Sequence, residues 1–394
     1  SRLLDEYGLD VGIWYPAMSQ GADDPKVVEK TLASWDDVLK RLPRVDAIFV
    51  PGGDPGHSEP KHLLPFLEKA TQVLHRHHPK AEMWLSTQGF DRAWTEQFHE
   101  LMKQEPKWLT GIVYGPHTRQ DLDQLRASLP SRYPIRLYPD ITHTMKCQLP
   151  VEDWHLAFWL TQCREPINPR PSATTIAFRA LSPGTRGFVS YSEGCNDDVN
   201  KFIWNALGWD QNADEVETLR QYSRYFIGPR YTDSFAQGLR ALERNWIGAP
   251  AKNPSIEVTL RQFQDLERAA SPLDLRNWRF QQALYRAYYD AYVRDRHEYE
   301  TSLELRAMEM VRRAREFGAY EAMSRAQAIL AQATAQPVSQ RRRMRVFEIG
   351  AALFQSINMQ LSVPRYRAIG EERGANLDSI DAPLNNRVWL EKRF

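Results

Sequence analysis

Three carboxylic acids follow short apolar runs of the kind that form buried strands: Asp54 after Ala47–Val50, Asp140 after Ile135–Tyr138, and Glu193 after Gly187–Tyr191. Histidines stand close to two of them, His57 and His143. Carboxylates drawn from separate strands suit cleavage of a glycosidic bond. One carboxyl protonates the leaving oxygen, and a second acts as nucleophile, base or support for the developing positive charge. Asp54, Glu193 and Asp140 are therefore the candidate catalytic residues. The same strand ends carry Gln88 in Ser86-Thr87-Gln88-Gly89, Tyr114 ahead of Gly115-Pro116-His117, Tyr191, and Asn196 in Glu193-Gly194-Cys195-Asn196. Together with His57, His143 and Trp84 they form the candidate substrate-binding set. Aromatic residues make up 11% of the chain, and their flat faces suit the C–H faces of sugars.

Each of these residues also has a plainer reading. Asp54 lies in Gly53-Asp54-Pro55-Gly56, a natural turn, and Asp140 follows Pro139, where it can cap one. Asp197 or Asp198 would cap a helix starting at Val199. His75, His77 and His78 sit at a helix end, where the dipole favours them. A metal set drawn from Asp54, His57, Asp140 and His143 lacks a His-x-His pair after the first strand, so no metal ligand and no cofactor is assigned.

The elements that would position these groups alternate strand and helix. Strands are expected at Val11–Tyr15, Ala47–Val50, Glu82–Ser86, Gly111–Tyr114, Ile135–Tyr138, Glu165–Asn168 and Gly187–Tyr191. Helices are expected at Pro25–Arg41, Pro60–His77, Ala93–Lys103, Leu122–Leu129, Pro150–Gln162 and Ser172–Leu181. A repeat of roughly 25–35 residues fits a (β/α)₈ barrel, whose active face lies at the C-terminal strand ends. The chain opens inside an amphipathic helix (Leu3, Leu4, Tyr7), so the first of the eight strands is expected ahead of Ser1. A doubly wound sheet is the weaker reading. Pro51-Gly52-Gly53-Asp54-Pro55-Gly56 carries an acid at its centre and starts no helix, so it is no dinucleotide loop. From about Asp214 helical periodicity runs to Leu361, through Glu215–Phe226, Asp233–Asn245, Ser255–Ala270, Leu273–Phe317, Tyr320–Ala333 and Arg341–Leu361. The expected organisation is a catalytic barrel over 1–210, an α-helical domain over 211–362, and a tail over 363–394 folded back through Leu377, Ile380, Leu384 and Trp389.

Composition narrows the partners. The 394 residues carry 51 Lys+Arg against 50 Asp+Glu, a net charge of +1, so no global field draws the chain to nucleic acid or an anionic membrane. No apolar run approaches the roughly 18–20 residues of a membrane span. Cys147, Cys163 and Cys195 have no metal spacing and are expected as thiols, with a Cys147–Cys195 bridge the alternative. That leaves the compartment, bacterial cytoplasm or export, undetermined. The aromatic stretch Asn277–Arg296 is expected to pack among helices. Homo-oligomerisation, or association with an earlier segment of the chain, is left open.

Two stretches carry a family resemblance. Phe49-Val50-Pro51-Gly52-Gly53-Asp54 is similar to the Gly-Gly-Asp-Glu strand end of the β-N-acetylhexosaminidases and the O-GlcNAcase-like hexosaminidases. Gly187–Asp210, continuing through Ala213–Gly228, resembles the passage from last strand to helical domain in α-glucuronidase-like proteins. The resemblance implies a barrel glycosidase with a helical C-terminal domain, a carbohydrate substrate, Asp54 or Glu193 as the acid, and Tyr191, Trp84 and Tyr114 lining the sugar pocket. Where hexosaminidases carry Glu after the Asp, this chain has Pro55. A non-catalytic carbohydrate-binding protein on a degenerate barrel, and a metal-dependent barrel hydrolase, are the alternative functions.

Overall fold

The computed structural model describes residues 2–17 and 21–394; Ser1, where the opening helix was expected to begin, lies outside them. That helix is α1 (Arg2–Glu6). Packing divides the chain into two compact units, Ser1–Asp140 with Phe178–Tyr191, and Ile141–Ala177 with Ser192–Phe394, a division that cuts across the expected boundary at 210.

In the first unit, branched and aromatic runs form β1 (Gly12–Trp14), β2 (Ala47–Val50), β3 (Glu82–Ser86), β4 (Gly111–Tyr114) and β5 (Ile135–Leu137). Each pairs in parallel with its sequence neighbour, in the order β1-β2-β3-β4-β5. The connections carry α2 (Pro25–Arg41), α3 (Pro60–His77), α4 (Arg92–Met102) and α5 (Leu122–Ser128). Sequential order without reversal is that of a (β/α)₈ barrel wall, and it sets this sheet apart from a doubly wound one. The α/β class and the barrel-type wall are as expected.

Gly187–Tyr191 extends the wall through parallel bridges, Leu137 to Phe188 and Asp140 to Tyr191. It makes no regular ladder because Pro139 has no N–H to give. Its carbonyl alone takes part, accepting from the Tyr191 N–H at 3.0 Å.

Strand alternation sorts the two faces of the sheet. Ile48, Val50, Met83, Leu85, Ile112 and Ile135 share the main core with Trp35, Leu39, Leu63, Leu67, Phe98 and Leu125 from the helices. The other face carries Ala47, Phe49, Trp84 and Val113. There Trp84 stacks on Phe49 at 6.4 Å, lies 4.5 Å from the Arg136 guanidinium, and donates its Nε1–H to Glu82 at 2.8 Å. Trp84 is thus a fully buried core ring rather than the expected sugar platform. Gly111, its partner in register, makes room for it: a Cβ there would stand 2.4 Å from the indole.

The second unit contains α6 (Leu156–Thr161), α7 (Pro171–Leu181, its last turn counting with the first unit), α8 (Asp198–Trp209), α9 (Glu215–Tyr222) and α10 (Thr232–Arg244). It continues with α11 (Ser255–Ala269), α12 (Trp278–Arg312), α13 (Ala314–Phe317), α14 (Ala319–Ala335) and α15 (Gln340–Ile357). No helix among the described residues is long and apolar enough to cross a membrane. The expected helix from Pro150 begins only at Leu156. Glu165–Asn168 is not a strand, because Pro166 and Pro169 remove the donors a ladder needs. Two of its N–H groups bond to other segments, Glu165 to the Glu372 carbonyl at 3.2 Å and Asn168 to that of Asn196 at 2.9 Å. In the tail Leu377, Ile380 and Leu384 are buried as expected, whereas Trp389 is exposed and Leu390 is the anchor in its place.

α12 is the axis of this unit. Phe280, Tyr285, Tyr288, Tyr289 and Tyr292 are buried, as expected of that stretch. Among them Arg286 and Asp290, both fully buried, pair at 2.9 Å. Arg286 also donates to the Ile167 carbonyl at 2.5 Å and lies 3.8 Å from the Trp246 ring centroid. Asp290 accepts from Asn245 at 3.0 Å and from Trp246 Nε1 at 3.3 Å. Arg286→Met strands the carboxylate, and urea unfolding is expected to show a loss of about 3–5 kcal/mol, largely recovered when Asp290→Leu is added. Equal damage from the single and double variants would mean that the guanidinium, not the pairing, matters.

His297 gives this unit a pH response. Its ring lies 4.6 Å from that of His155, Ala251 donates to its Nδ1 at 3.2 Å, and burial pushes its pKa down from 6.5 to about 4. Between those values the unfolded chain binds a proton that the folded chain refuses, so stability falls as pH drops through that window. His297→Gln is expected to flatten the midpoint-versus-pH curve there; an unchanged slope would place the titration elsewhere.

Candidate functional site

Asp54 sits on a turn built from close backbone contacts. Gly52 has φ +80°, and a Cβ on it would lie 2.2 Å from the Ser86 carbonyl oxygen. Gly53 donates to the Gln88 carbonyl at 2.8 Å, and Gly89 to that of His117 at 3.2 Å. A Cβ at Gly89, φ +74°, would meet the Asp54 Cβ at 2.6 Å. These glycines let the loops after β2, β3 and β4 meet main chain to main chain, which holds Asp54 half-buried at the C-terminal rim of the sheet. Beside it Thr87 and Gln88 are buried, and Thr87 Oγ1 and Gln88 Oε1 have no hydrogen-bond partner among the described residues. Such oxygens are where a bound water or hydroxyl gains most.

The other expected residues of this unit are placed differently. His57 is exposed at φ 51°. Tyr114 is half-buried, and its carbonyl accepts from the Tyr138 N–H at 2.7 Å. Tyr191, also half-buried, meets Tyr138 edge-on at 5.6 Å. Asp140 is buried. The helix-end histidines are structural, as expected: His75 contacts the Ala81 carbonyl, His77 pairs with Asp36, and His78 contacts the Leu39 carbonyl.

The second unit holds a tighter cluster. His143 Nε2 lies 2.9 Å from Glu165 Oε1, both residues being buried. Arg373 Nη1 donates to Glu165 at 2.8 Å and to Glu193 at 3.1 Å. The nearest ligand atoms of His143, Glu165 and Glu193 all lie within 4.8 Å of one another. Glu193 is aligned through its peptide N–H, which donates to Thr142 Oγ1 at 3.2 Å. The same Thr142 hydroxyl donates to Asp197. Asp197 does not cap α8 with its side chain. It is buried, accepts from Ser192 at 3.0 Å and faces Lys201 at 3.3 Å, and burial raises its pKa. Asp198 pairs instead with Arg279 at 2.7 Å. Asn196 is occupied by the backbone, its amide donating to the Glu165 carbonyl at 2.5 Å.

Glu165 and Arg373 were not among the expected site residues. Arg373 reaches its partners across 208 and 180 residues of sequence, and Gly370-Glu371-Glu372-Arg373-Gly374 has no periodicity to announce it. Glu165 lies at the start of the stretch expected as the strand Glu165–Asn168. The three cysteines are thiols, and burial pushes that of Cys163 up to about 12.

No protein-family model matches this sequence, and no curated protein matches it. Among solved structures the chain is similar to an O-GlcNAc hydrolase variant from Thermobaculum terrenum, with TM-score 0.44 and 11% identity over 100% of this chain and 83% of that one. It is also similar to CpGH84B, with TM-score 0.33 and 11% identity over 88% and 73%. Neither likeness assigns a role to a residue of this chain.

Gly89 and Gly184 share a positive φ, +74° and +72°, but a Cβ at Gly184 would meet nothing within 4 Å. Gly184→Ala is expected to cost about 1 kcal/mol of backbone strain, and Gly89→Ala about 1–3 kcal/mol more from the collision with Asp54. Equal losses in chemical denaturation would show that the two loops do not approach this closely.

Proposed function

We propose that this chain is a glycoside hydrolase that works by carboxylate chemistry at the C-terminal rim of its parallel sheet. The observation that supports it most is the Asp54 turn: glycines that leave no room for a side chain present one half-buried acid where a barrel carries its reactive groups. An acid so placed either protonates a departing glycosidic oxygen or, ionised, supports positive charge on the sugar ring. Hexosaminidase- or glucuronidase-type glycosides are the substrates that the sequence resemblance implies, and breakdown of polysaccharide or glycoconjugate is the corresponding process. Of the other candidate acids, Glu193 is exposed to solvent in its own unit and Asp140 is buried. Asp54 is therefore the acid to test first.

The second reading, a carbohydrate-binding protein without turnover, is favoured by one feature. Pro55 follows Asp54 where a second acid would stand, and the Glu165 and Glu193 carboxylates are both engaged by Arg373.

A panel of 4-nitrophenyl glycosides, N-acetylglucosaminide and glucuronide included, decides between the two. For the substrate that is turned over, Asp54→Asn is expected to lower kcat by about 10³-fold or more while the affinity for the free monosaccharide changes little. Binding and turnover falling together would remove Asp54 from catalysis. Binding with no turnover of any glycoside would establish the second reading.

A further inference from the structure

The face of the sheet that carries Phe49 and Trp84 continues onto β1. Strand alternation puts Gly12 and Trp14 on one side of β1, Ile13 and Tyr15 on the other. Ile13 and Tyr15 pack into the main core, while a Cβ on Gly12 would stand 3.0 Å from the Phe49 ring. Trp14 therefore lies on the Phe49 side. It is in register with Phe49, and Phe49 with Trp84, so three aromatic residues form one row across β1, β2 and β3. Phe49 and Trp84 are buried, at 8% and 0% exposure; Trp14 is 44% exposed. We infer that Trp14 is the platform on which a pyranose ring of the substrate stacks beside Asp54, and that the Gln88 amide binds the ring's hydroxyl groups. The inference rests on the reading of this rim as a sugar site.

Position is the first argument. Trp14 is the last residue of β1, at the rim where a barrel carries its reactive groups. Parallel strands lie about 4.8 Å apart, so Trp14 stands one strand away from the strand that leads to Asp54. The segment directly after Trp14 touches the Asp54 turn: a Cβ on Gly56 would come within 3.1 Å of the Pro16 carbonyl oxygen and 3.2 Å of that of Ala17. Gln88 follows β3, on the other side of β2, and its carbonyl accepts from the Gly53 N–H at 2.8 Å. Trp14, Asp54 and Gln88 thus follow one another along the rim in the order of their strands.

Chemistry is the second. A pyranose has an apolar C–H face and a border of hydroxyls, so its site needs a flat apolar wall and a few unpaired polar groups. A lone exposed apolar residue would call for no explanation. Trp14 is set apart because the same rim leaves a buried amide unmet. Gln88 is 5% exposed, and its Oε1 has no hydrogen-bond partner among the described residues. Such an oxygen destabilises a fold until a hydroxyl or a water meets it. A half-turn of the amide presents either its acceptor or its NH₂ donors to a ligand, and a sugar hydroxyl pairs with both.

The test uses the full chain and the 4-nitrophenyl glycosides, read as KM for one that is turned over and as Kd for one that is only bound. Trp14→Ala is expected to raise that constant by about tenfold or more, with kcat within about threefold of the unsubstituted chain. Its thermal midpoint should not change, because the indole has no hydrogen bond or ring contact among the described residues. Trp14→Phe, which keeps a flat ring, is expected to retain most of the affinity. Gln88→Leu is expected to weaken binding by about tenfold or more while the thermal midpoint stays or rises, since it removes an unpaired buried oxygen. An amide with a purely structural role would lower the midpoint and leave the affinity unchanged. Should a variant fail to fold, oxidative footprinting of the unsubstituted chain decides: bound glycoside is expected to protect Trp14, and unaltered oxidation overturns the inference. Unchanged affinity in Trp14→Ala overturns it as well, and a fall in midpoint there would show the indole packing against protein. Turnover that survives Asp54→Asn but still depends on Trp14 would remove the acid and leave the platform. A chain that neither binds nor cleaves any glycoside would end both readings.

Discussion

A guanidinium and a carboxylate cut off from water organise the helical unit. Desolvating Arg286 and Asp290 is tolerable only because each finds several partners, and those partners lie on separate pieces of chain: Ile167, Asn245 and Trp246. The pair thus does more than hold one turn of α12 together. It fixes where the irregular segment around Ile167 runs, and that segment begins with Glu165. The geometry of the His143–Glu165–Glu193–Arg373 cluster is in this sense downstream of a charge pair that takes no part in it.

Much of the scaffold was legible because local rules and tertiary packing agree. The strands Ala47–Val50, Glu82–Ser86 and Gly111–Tyr114 and the helices Pro25–Arg41 and Pro60–His77 stand at their expected bounds. There, apolar period, Pro at a first turn and basic last turns all point the same way. Where prolines stand in, beside or opposite an expected strand, the pattern misleads. Glu165–Asn168 and Gly187–Tyr191 look like strands by composition, yet Pro166, Pro169 and Pro139 take away the donors a ladder requires.

The candidate site was legible in part, for a different reason. Asp54 could be found because its turn is written in adjacent glycines. Trp84 was misplaced because an aromatic near a strand end reads alike whether it faces a ligand or a core; Gly111, one strand over, decides the matter, and only the register connects the two. Glu165 and Arg373 acquire meaning only from each other, and no local signal joins residues so far apart.

That separation bears on how the protein is made. Glu165, His143 and Glu193 leave the ribosome long before Arg373, so the two ion pairs that Arg373 makes can form only once synthesis has passed Gly374. In that interval the helical unit also lacks the segment whose Glu372 carbonyl accepts from the Glu165 N–H at 3.2 Å. This corner of the helical unit is thereby completed by the last few dozen residues to be made, whatever the order in which its helices form.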